Sequence, residues 1–298
     1  MSIPLNHHYV SQCQIKNFFN KEDKLIYLYD KQKDNHYNSN TSKSVFSETG
    51  LNSRLTDEEE IDHVTIEEDI KKNFEDRFRK NIDVITESLN KTTFSWAFRN
   101  SLDEIAQLGI IGDFRTPEYK KEMDKTFGTL FRTIADHATP ELKNTLEKFF
   151  TDREKTKYSN ALNYSEIAKK IFEKMGEINH KIVWIKSNDF FILPDCTSAI
   201  RREKINEYFN PDIKEIAAVA IPLTSKIFIM TSSKKLIPGE DELMIIDKDN
   251  HDYVFQINGT LLTKSHKTVA CESKEYLTKF IKWYKNASAQ QKLNAIAG

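Results

Sequence analysis

The spacing of hydrophobic residues changes near residue 177 of this chain. Between about residues 64 and 176 they recur every three or four positions, which places them on one face of a helix. After residue 177, short β-branched and aromatic runs alternate with clusters of Asn, Asp, Pro, Gly and Ser, as in antiparallel strands joined by turns. The sequence therefore predicts a helical block followed by a mainly antiparallel sheet.

A further strand is predicted near the start of the chain, because residues 24–30 alternate Leu and Tyr with polar neighbours. A two-stranded ribbon is marginally stable at best, so we expect this strand to pair with strands that follow residue 180. The resulting fold class is α+β, with an N-terminal strand that joins a mainly antiparallel C-terminal sheet and with an inserted helical block. The expected organisation is a motif and strand in 1–30, a polar linker in 31–63, the helical block in 64–176, and a sheet domain with a C-terminal helix in 177–298.

Charge and hydropathy exclude several classes of protein. The chain has 44 Lys and Arg against 45 Asp and Glu, a formal charge of −1, so any contact with nucleic acid must be a local site rather than a bulk attraction. No apolar run approaches the roughly 20 residues that span a bilayer, and the first residues do not resemble a signal peptide. We expect a cytoplasmic protein without a membrane partner.

Metal and cofactor motifs are absent from the sequence. Its three cysteines lack C-x-x-C spacing, and no phosphate-binding loop, dinucleotide fingerprint, zinc-protease motif or calcium loop is found. We therefore expect neither a metal site nor a cofactor, and we expect the cysteines to be reduced and mostly buried.

A few polar residues have the chemistry of a site that acts on phosphoryl groups or sugars. Such a site needs a proton carrier that works near pH 7 and donors for the developing negative charge. The candidate catalytic residues are His7, His8, Arg115 and Asp195, and Asn258 is a candidate for substrate binding.

Each of these candidates also has a structural interpretation. Adjacent strand residues point to opposite faces, so His7 and His8 do not both enter one site easily. Asp195 follows an apolar strand, where a carboxylate commonly caps a turn, and Arg115 could pair with a carboxylate instead of a phosphate. Asn258 precedes Gly259, a pair that is typical of hairpin turns.

The order of several short motifs resembles the bacterial domain-of-unknown-function family 4238. The motifs are His7-His8-Tyr9-Val10-Ser11-Gln12, Asn17-Phe18, Phe114-Arg115-Thr116-Pro117, Asp195 after an apolar strand, and Ile221-Pro222-Leu223-Thr224. They match an H-H-Y-V-P-Q-like opening, an L-R-N-F element, an R-T-P element, an S-D-N-P element and a P-L-S element of the family. Ser11 replaces the usual proline, and the S-D-N-P context around Asp195 is lost.

This resemblance implies that the His motif, the R-T-P segment and the Asp belong together, and it adds Gln12 and Asn17 to the substrate-binding candidates. It implies no activity. The residue types favour a nucleic-acid-cleaving effector, most readily on RNA, of a bacterial defence or toxin system, which could also involve a partner protein. Another hydrolase or transferase is one alternative. A second is a binding or sensor module that uses residues 31–60 and the sheet, and a third is a structural or regulatory partner.

Overall fold

The computed structural model describes residues 5–56, 58, 60–144, 155–160, 162–204 and 214–288. Its helices are α1 (Gln12–Ile15), α2 (Thr65–Ile70), α3 (Asp76–Lys91), α4 (Trp96–Gly112), α5 (Pro117–Asp136), α6 (Tyr164–Met175), α7 (His251–Lys264) and α8 (Lys274–Asn286). Its strands are β1 (Asn6–His8), β2 (Ile26–Asp30), β3 (Asn35–Ser39), β4 (Ser47–Thr49), β5 (Arg54–Leu55), β6 (Ile61–Asp62), β7 (Ile178–Ile185), β8 (Leu193–Pro194), β9 (Ala199–Lys204), β10 (Lys214–Pro222), β11 (Ile227–Ser233), β12 (Glu242–Ile246) and β13 (Thr268–Cys271). This confirms the predicted α+β class with the helical block inserted.

The larger sheet has five strands in the order β12-β7-β11-β10-β9. Three of its four pairings are antiparallel, whereas β12 runs parallel to β7. Successive strand residues point to opposite faces. Val219 therefore packs into the core shared with α2 to α6, whereas Ala218 and Ala220 pack with α7 and α8. The sheet thus lies between the helical block and the two C-terminal helices.

The smaller sheet joins the two ends of the chain. Its order is β3-β2-β13-β8, and β2 pairs antiparallel with β13, for example Leu28 with Ala270. This confirms that the N-terminal strand joins the C-terminal sheet region. A third core beside this sheet contains Val10, Ile15 and Phe18 from the N-terminal segment.

The segment from 31 to 63, predicted as a polar linker, has more structure than its composition indicates. It contains β3, β4, β5 and β6, and it buries Val45, Phe46 and Leu51. Two of them, Val45 and Phe46, join the third core, whose other members come from the N-terminal segment and the smaller sheet. For example, Phe46 packs near Tyr9, with ring centroids 6.0 Å apart.

Helix α4 continues through Gly109 and Gly112, although these glycines suggest a break in the sequence pattern. A Cβ atom at Gly109 would lie 2.6 Å from Val219 Cγ1 of the larger sheet. A Cβ atom at Gly112 would overlap the backbone carbonyl oxygen of Cys196. Both glycines therefore serve close packing of the helix, which lowers its intrinsic propensity but brings residues 113–116 close to the chain around Cys196.

Candidate functional site

The two histidines of the N-terminal motif are both buried, and each bonds a different part of the segment that follows β3. They lie in β1, which pairs with β4, with His7 opposite Glu48 and His8 opposite Ser47. His7 Nδ1 accepts a hydrogen bond from the backbone N–H of Asn52 at 2.9 Å. Their alternation along the strand separates their contacts, as the sequence predicts.

Hydrogen bonds among His8, Gln12 and Ser42 determine which ring nitrogen of His8 carries the proton. Its Nε2 lies 3.0 Å from the carbonyl oxygen of Ser42, so Nε2 carries the proton and Nδ1 faces the Gln12 amide nitrogen at 3.4 Å. The Ser42 hydroxyl donates to Gln12 Oε1 at 3.0 Å and closes this ring of hydrogen bonds. Burial lowers the pKa of His8, so the imidazole is held in its neutral form.

Arg115 ties the helical block to this motif. Its guanidinium is fully buried and donates from Nη1 to Ser11 Oγ at 3.0 Å and from Nη2 to the carbonyl oxygen of His8 at 2.8 Å. Glu75 Oε1 lies 4.0 Å from Nη2. The planar fork is used on the protein itself, so Arg115 positions the motif and is not open to a phosphate.

Asp195 caps the turn before β13. Its carboxylate accepts three backbone N–H groups, from His266 at 2.8 Å, Lys267 at 2.7 Å and Thr268 at 2.8 Å. Burial raises the pKa of Asp195, and the three donors act in the opposite direction. The sequence suggested a cap of the turn that directly follows Asp195, whereas the carboxylate binds backbone groups 71 to 73 positions further along the chain.

His266 joins the candidate site, although no motif in the sequence pointed to it. Its Nε2 lies 3.1 Å from Asp113 Oδ1 and 3.4 Å from Thr116 Oγ1. The imidazole is 28% exposed, and the hydrogen bond with Asp113 raises its pKa. The sequence offered one indirect signal. Both partners of His266, Asp113 and Thr116, lie in or beside the R-T-P segment that the family resemblance singled out.

Gln12 and Asn17 line a cleft of about 610 Å³ between the N-terminal segment and the start of α3. The opposite wall begins with a π-helical turn, Lys71–Glu75, an irregularity often found at functional sites. Cations on its walls include Lys16 and Arg79. The amide of Asn17 donates to the Cys13 carbonyl oxygen at 2.7 Å, which anchors that side chain at the edge of the cleft.

Asn258 lies elsewhere, and the predicted hairpin turn at Asn258-Gly259 is wrong. Both residues are buried within α7, where apolar neighbours at helical spacing outweigh the local turn preference. The Asn258 side chain accepts from the backbone N–H of Ile192 at 3.0 Å and donates to the Phe190 carbonyl oxygen at 2.8 Å. It thus supports the chain between β7 and β8, and no hydrogen bond joins it to the motif residues within the described part of the chain.

Neither a cluster of metal ligands nor a membrane-spanning helix is found among the residues that the structure describes. No group of three or more His, Cys, Asp or Glu side chains there is arranged to hold a metal ion. No helix among them has the length and apolar character needed to cross a membrane.

These contacts define an α+β protein in which an N-terminal His motif, an R-T-P segment and an Asp-capped turn are linked by hydrogen bonds. Thr116 contacts His266 through Nε2, Asp195 accepts the backbone N–H of His266, and Arg115 binds His8. The chain belongs to the family described as "Protein of unknown function (DUF4238)", whose model matches residues 6–275. No curated protein and no solved structure matches it.

Proposed function

We propose that this protein is a nucleic-acid-cleaving effector, with RNA as the favoured substrate, that acts in the cytoplasm as part of a bacterial defence or toxin system. One observation carries the proposal. Two consecutive residues link two histidines: Arg115 donates to the backbone carbonyl oxygen of His8, and Thr116 Oγ1 contacts His266 Nε2. The pKa values of these histidines are shifted in opposite directions, downward for His8 and upward for His266. Titratable groups whose environments separate their pKa values suit one acid and one base.

In this proposal His266 is the general acid and His8 is the general base. The hydrogen bond with Asp113 raises the pKa of the partly exposed His266 and favours its protonated form, which would donate a proton to the leaving oxygen. His8 is neutral, and its Nδ1 lone pair is covered by Gln12 at 3.4 Å, a long hydrogen bond that a substrate hydroxyl could replace. His8 would remove the proton of that hydroxyl as its oxygen bonds to phosphorus and the P–O bond to the leaving oxygen breaks.

Substrate phosphates would bind the cleft that Gln12 lines, through individual contacts with Lys16 and Arg79. The three cations of the lining, Lys16, Lys71 and Arg79, are matched by Glu75, Asp76 and Asp83, so the cleft has no net positive charge. Arg115 then has a positioning role, since its guanidinium is committed to Ser11 and His8. This local arrangement agrees with a chain whose net charge gives no bulk attraction to nucleic acid.

The test compares His8→Gln and His266→Gln with His36→Gln, a matched control on the exposed strand β3. Each is expressed in bacteria, total RNA and DNA integrity is followed, and purified proteins are assayed on single-stranded RNA. We expect each of the first two to lose roughly 10²–10⁴ of the cleavage rate. We expect the double variant to be little worse than either one, because residues that act as a unit are not additive. Full activity in both single variants, at the level of His36→Gln, would refute the proposal.

The second candidate is a non-enzymatic binding or sensor module of a defence system. It is favoured by β3, an edge strand of the smaller sheet with mostly exposed side chains, because a free strand edge can pair with an extended segment of a partner. If the protein is such a module, Tyr37→Lys should abolish the protection of bacteria against phage, because a charge on this edge opposes pairing with another strand. His266→Gln should retain the protection. The opposite pattern supports the enzyme.

A further inference from the structure

A second histidine–carboxylate pair lies at the start of α7. Asp189, from the chain that follows β7, is completely buried and binds His251 Nδ1 through Oδ1. Its Oδ2 accepts the backbone N–H of Asn250 at 2.7 Å. The ring of His251 is 33% exposed. Because Nδ1 is turned toward the buried carboxylate, Nε2 is the ring nitrogen available to another molecule.

This pair borders a cleft of about 530 Å³ between α7 and α8. One wall is aromatic: His251 stacks on Phe255 with centroids 5.6 Å apart and planes at 17°, and Phe255 lies 5.4 Å from the ring of Trp283. A partly exposed indole beside a cleft offers a face on which a flat heterocycle can stack.

The lining of the cleft also has more positive than negative charge. Lys279 and Lys282 line it and are exposed, and none of the salt bridges found among the described residues includes either of them. Asp252 is the acidic residue of the lining. Two unpaired ammonium groups against one carboxylate favour an anion, and lysine is a common ligand of phosphate.

We propose that this cleft binds a nucleoside phosphate unit, either as a free nucleotide or within a nucleic-acid strand. The base stacks on Trp283, the phosphate lies between Lys279 and Lys282, and His251, held by Asp189, hydrogen-bonds a phosphate oxygen through Nε2. The cleft and the motif site lie at opposite ends of α7, since His251 begins this 14-residue helix and His266 follows it. The inference does not depend on the proposed function.

Binding to the full chain is measured by calorimetry with four probes: adenosine 5′-monophosphate, adenosine, inorganic phosphate and an octa-adenylate RNA. Trp283→Leu is compared with Trp96→Leu. Trp96 is 81% exposed and lies outside the cleft. The Lys279→Ala/Lys282→Ala double variant is compared with Lys274→Ala, an exposed lysine of the same helix. Both cleft lysines are exposed, so their removal should leave folding intact.

We expect Trp283→Leu to weaken the binding of adenosine 5′-monophosphate by roughly 5- to 150-fold, which is the range expected for the loss of one base-stacking contact. The double lysine variant should bind the monophosphate more weakly but bind adenosine as the wild type does. The affinity for the monophosphate should also depend less on salt concentration in this variant. His251→Gln should act in the same direction. Trp96→Leu and Lys274→Ala should match the wild type.

Binding of the monophosphate with these dependences supports a free nucleotide, whereas the same dependences seen only with octa-adenylate support a strand. The inference is overturned if neither probe binds at about 1 mM, which is already a weak affinity. It is equally overturned if Trp283→Leu and the double lysine variant bind as their controls do.

Discussion

The side chain of Arg115 donates a hydrogen bond to the backbone carbonyl oxygen of His8 across 2.8 Å, although the two residues lie 107 positions apart in the chain. The same guanidinium binds Ser11 Oγ, so one buried residue of the helical block determines the path of the N-terminal motif. The position of the backbone at His8 therefore depends on a contact that is remote in sequence, which links the stability of the fold to the proposed chemistry.

Replacement of Arg115 by Lys should lower the free energy of unfolding by about 1–3 kcal/mol. A single ammonium group cannot reproduce the fork that serves Ser11 and the His8 carbonyl, so one buried acceptor loses its partner. Urea denaturation measures the loss. The control is Arg77→Lys, whose side chain is 58% exposed and should change stability by no more than about 0.5 kcal/mol. Equal stability of Arg115→Lys and the control would contradict the positioning role.

Replacement of Gly112 by Ala should destabilise the protein, although Ala is the better helix former by about 1 kcal/mol. The new methyl group would meet the backbone oxygen of Cys196, which cannot rotate away, and overpacking of this kind costs about 1–3 kcal/mol. Thermal unfolding gives the sign directly. A higher melting temperature would show that the close approach is not required.

Gly109 offers a comparison because its Cβ would meet a side chain instead of backbone. Gly109→Ala should also destabilise, but truncation of the contacting residue in Gly109→Ala/Val219→Ala should recover part of the loss. The double-mutant cycle should show a favourable coupling between the two changes. Strict additivity would mean that contact with the Val219 side chain does not explain the loss of stability.

The sequence predicted the layered fold better than it predicted the site. Pairing of β2 with a strand after residue 180 was predictable because a lone strand needs partners, and helical spacing located the inserted block. The pair Asn258-Gly259 suggested a hairpin turn that the structure does not contain. Burial of the apolar face of α7 outweighs the local preference of these two residues for a turn. His266 was missed because its contact with Asp113 joins residues 153 positions apart, which no local pattern encodes. The roles assigned to His7, His8 and Asp195 remain predictions.

His266 should make stability depend on pH in a defined direction. Its folded-state pKa is raised above 6.5 by Asp113, so its contribution is fully present below the unfolded pKa and is lost as pH rises through the folded pKa. His266→Gln and Asp113→Asn should both flatten this decline in urea titrations at several pH values.

His36 provides the control of opposite sign. Burial lowers the pKa of His36, so its contribution to stability increases as pH rises through the folded pKa toward 6.5. His36→Gln should therefore remove a small rise and not a decline. If His266→Gln left the pH profile of the wild type unchanged, Asp113 would not be holding a proton on His266.

Lys120 should produce a rise in stability at alkaline pH. This buried lysine follows the R-T-P segment and donates to the Leu51 carbonyl oxygen at 3.0 Å and to Asn52 Oδ1 at 2.7 Å, and it also donates to Asn160. Burial, with the charge of Arg115, lowers the pKa of Lys120 to about 7 from an ordinary value of 10.5. Between these two values the unfolded chain binds more protons than the folded one, so stability rises with pH, by at most about 1.4 kcal/mol per pH unit.

Lys120→Met should remove that rise, and the readout is the slope of unfolding free energy against pH from about 7 to 10. The slope separates titration from the loss of hydrogen bonds, because missing bonds to Leu51 and Asn52 lower stability at every pH. Lys125→Met, an exposed lysine of the same helix, should keep the wild-type slope. A wild-type slope in Lys120→Met would assign the alkaline rise to another group and would mean that Lys120 stays protonated throughout, held by its three acceptors.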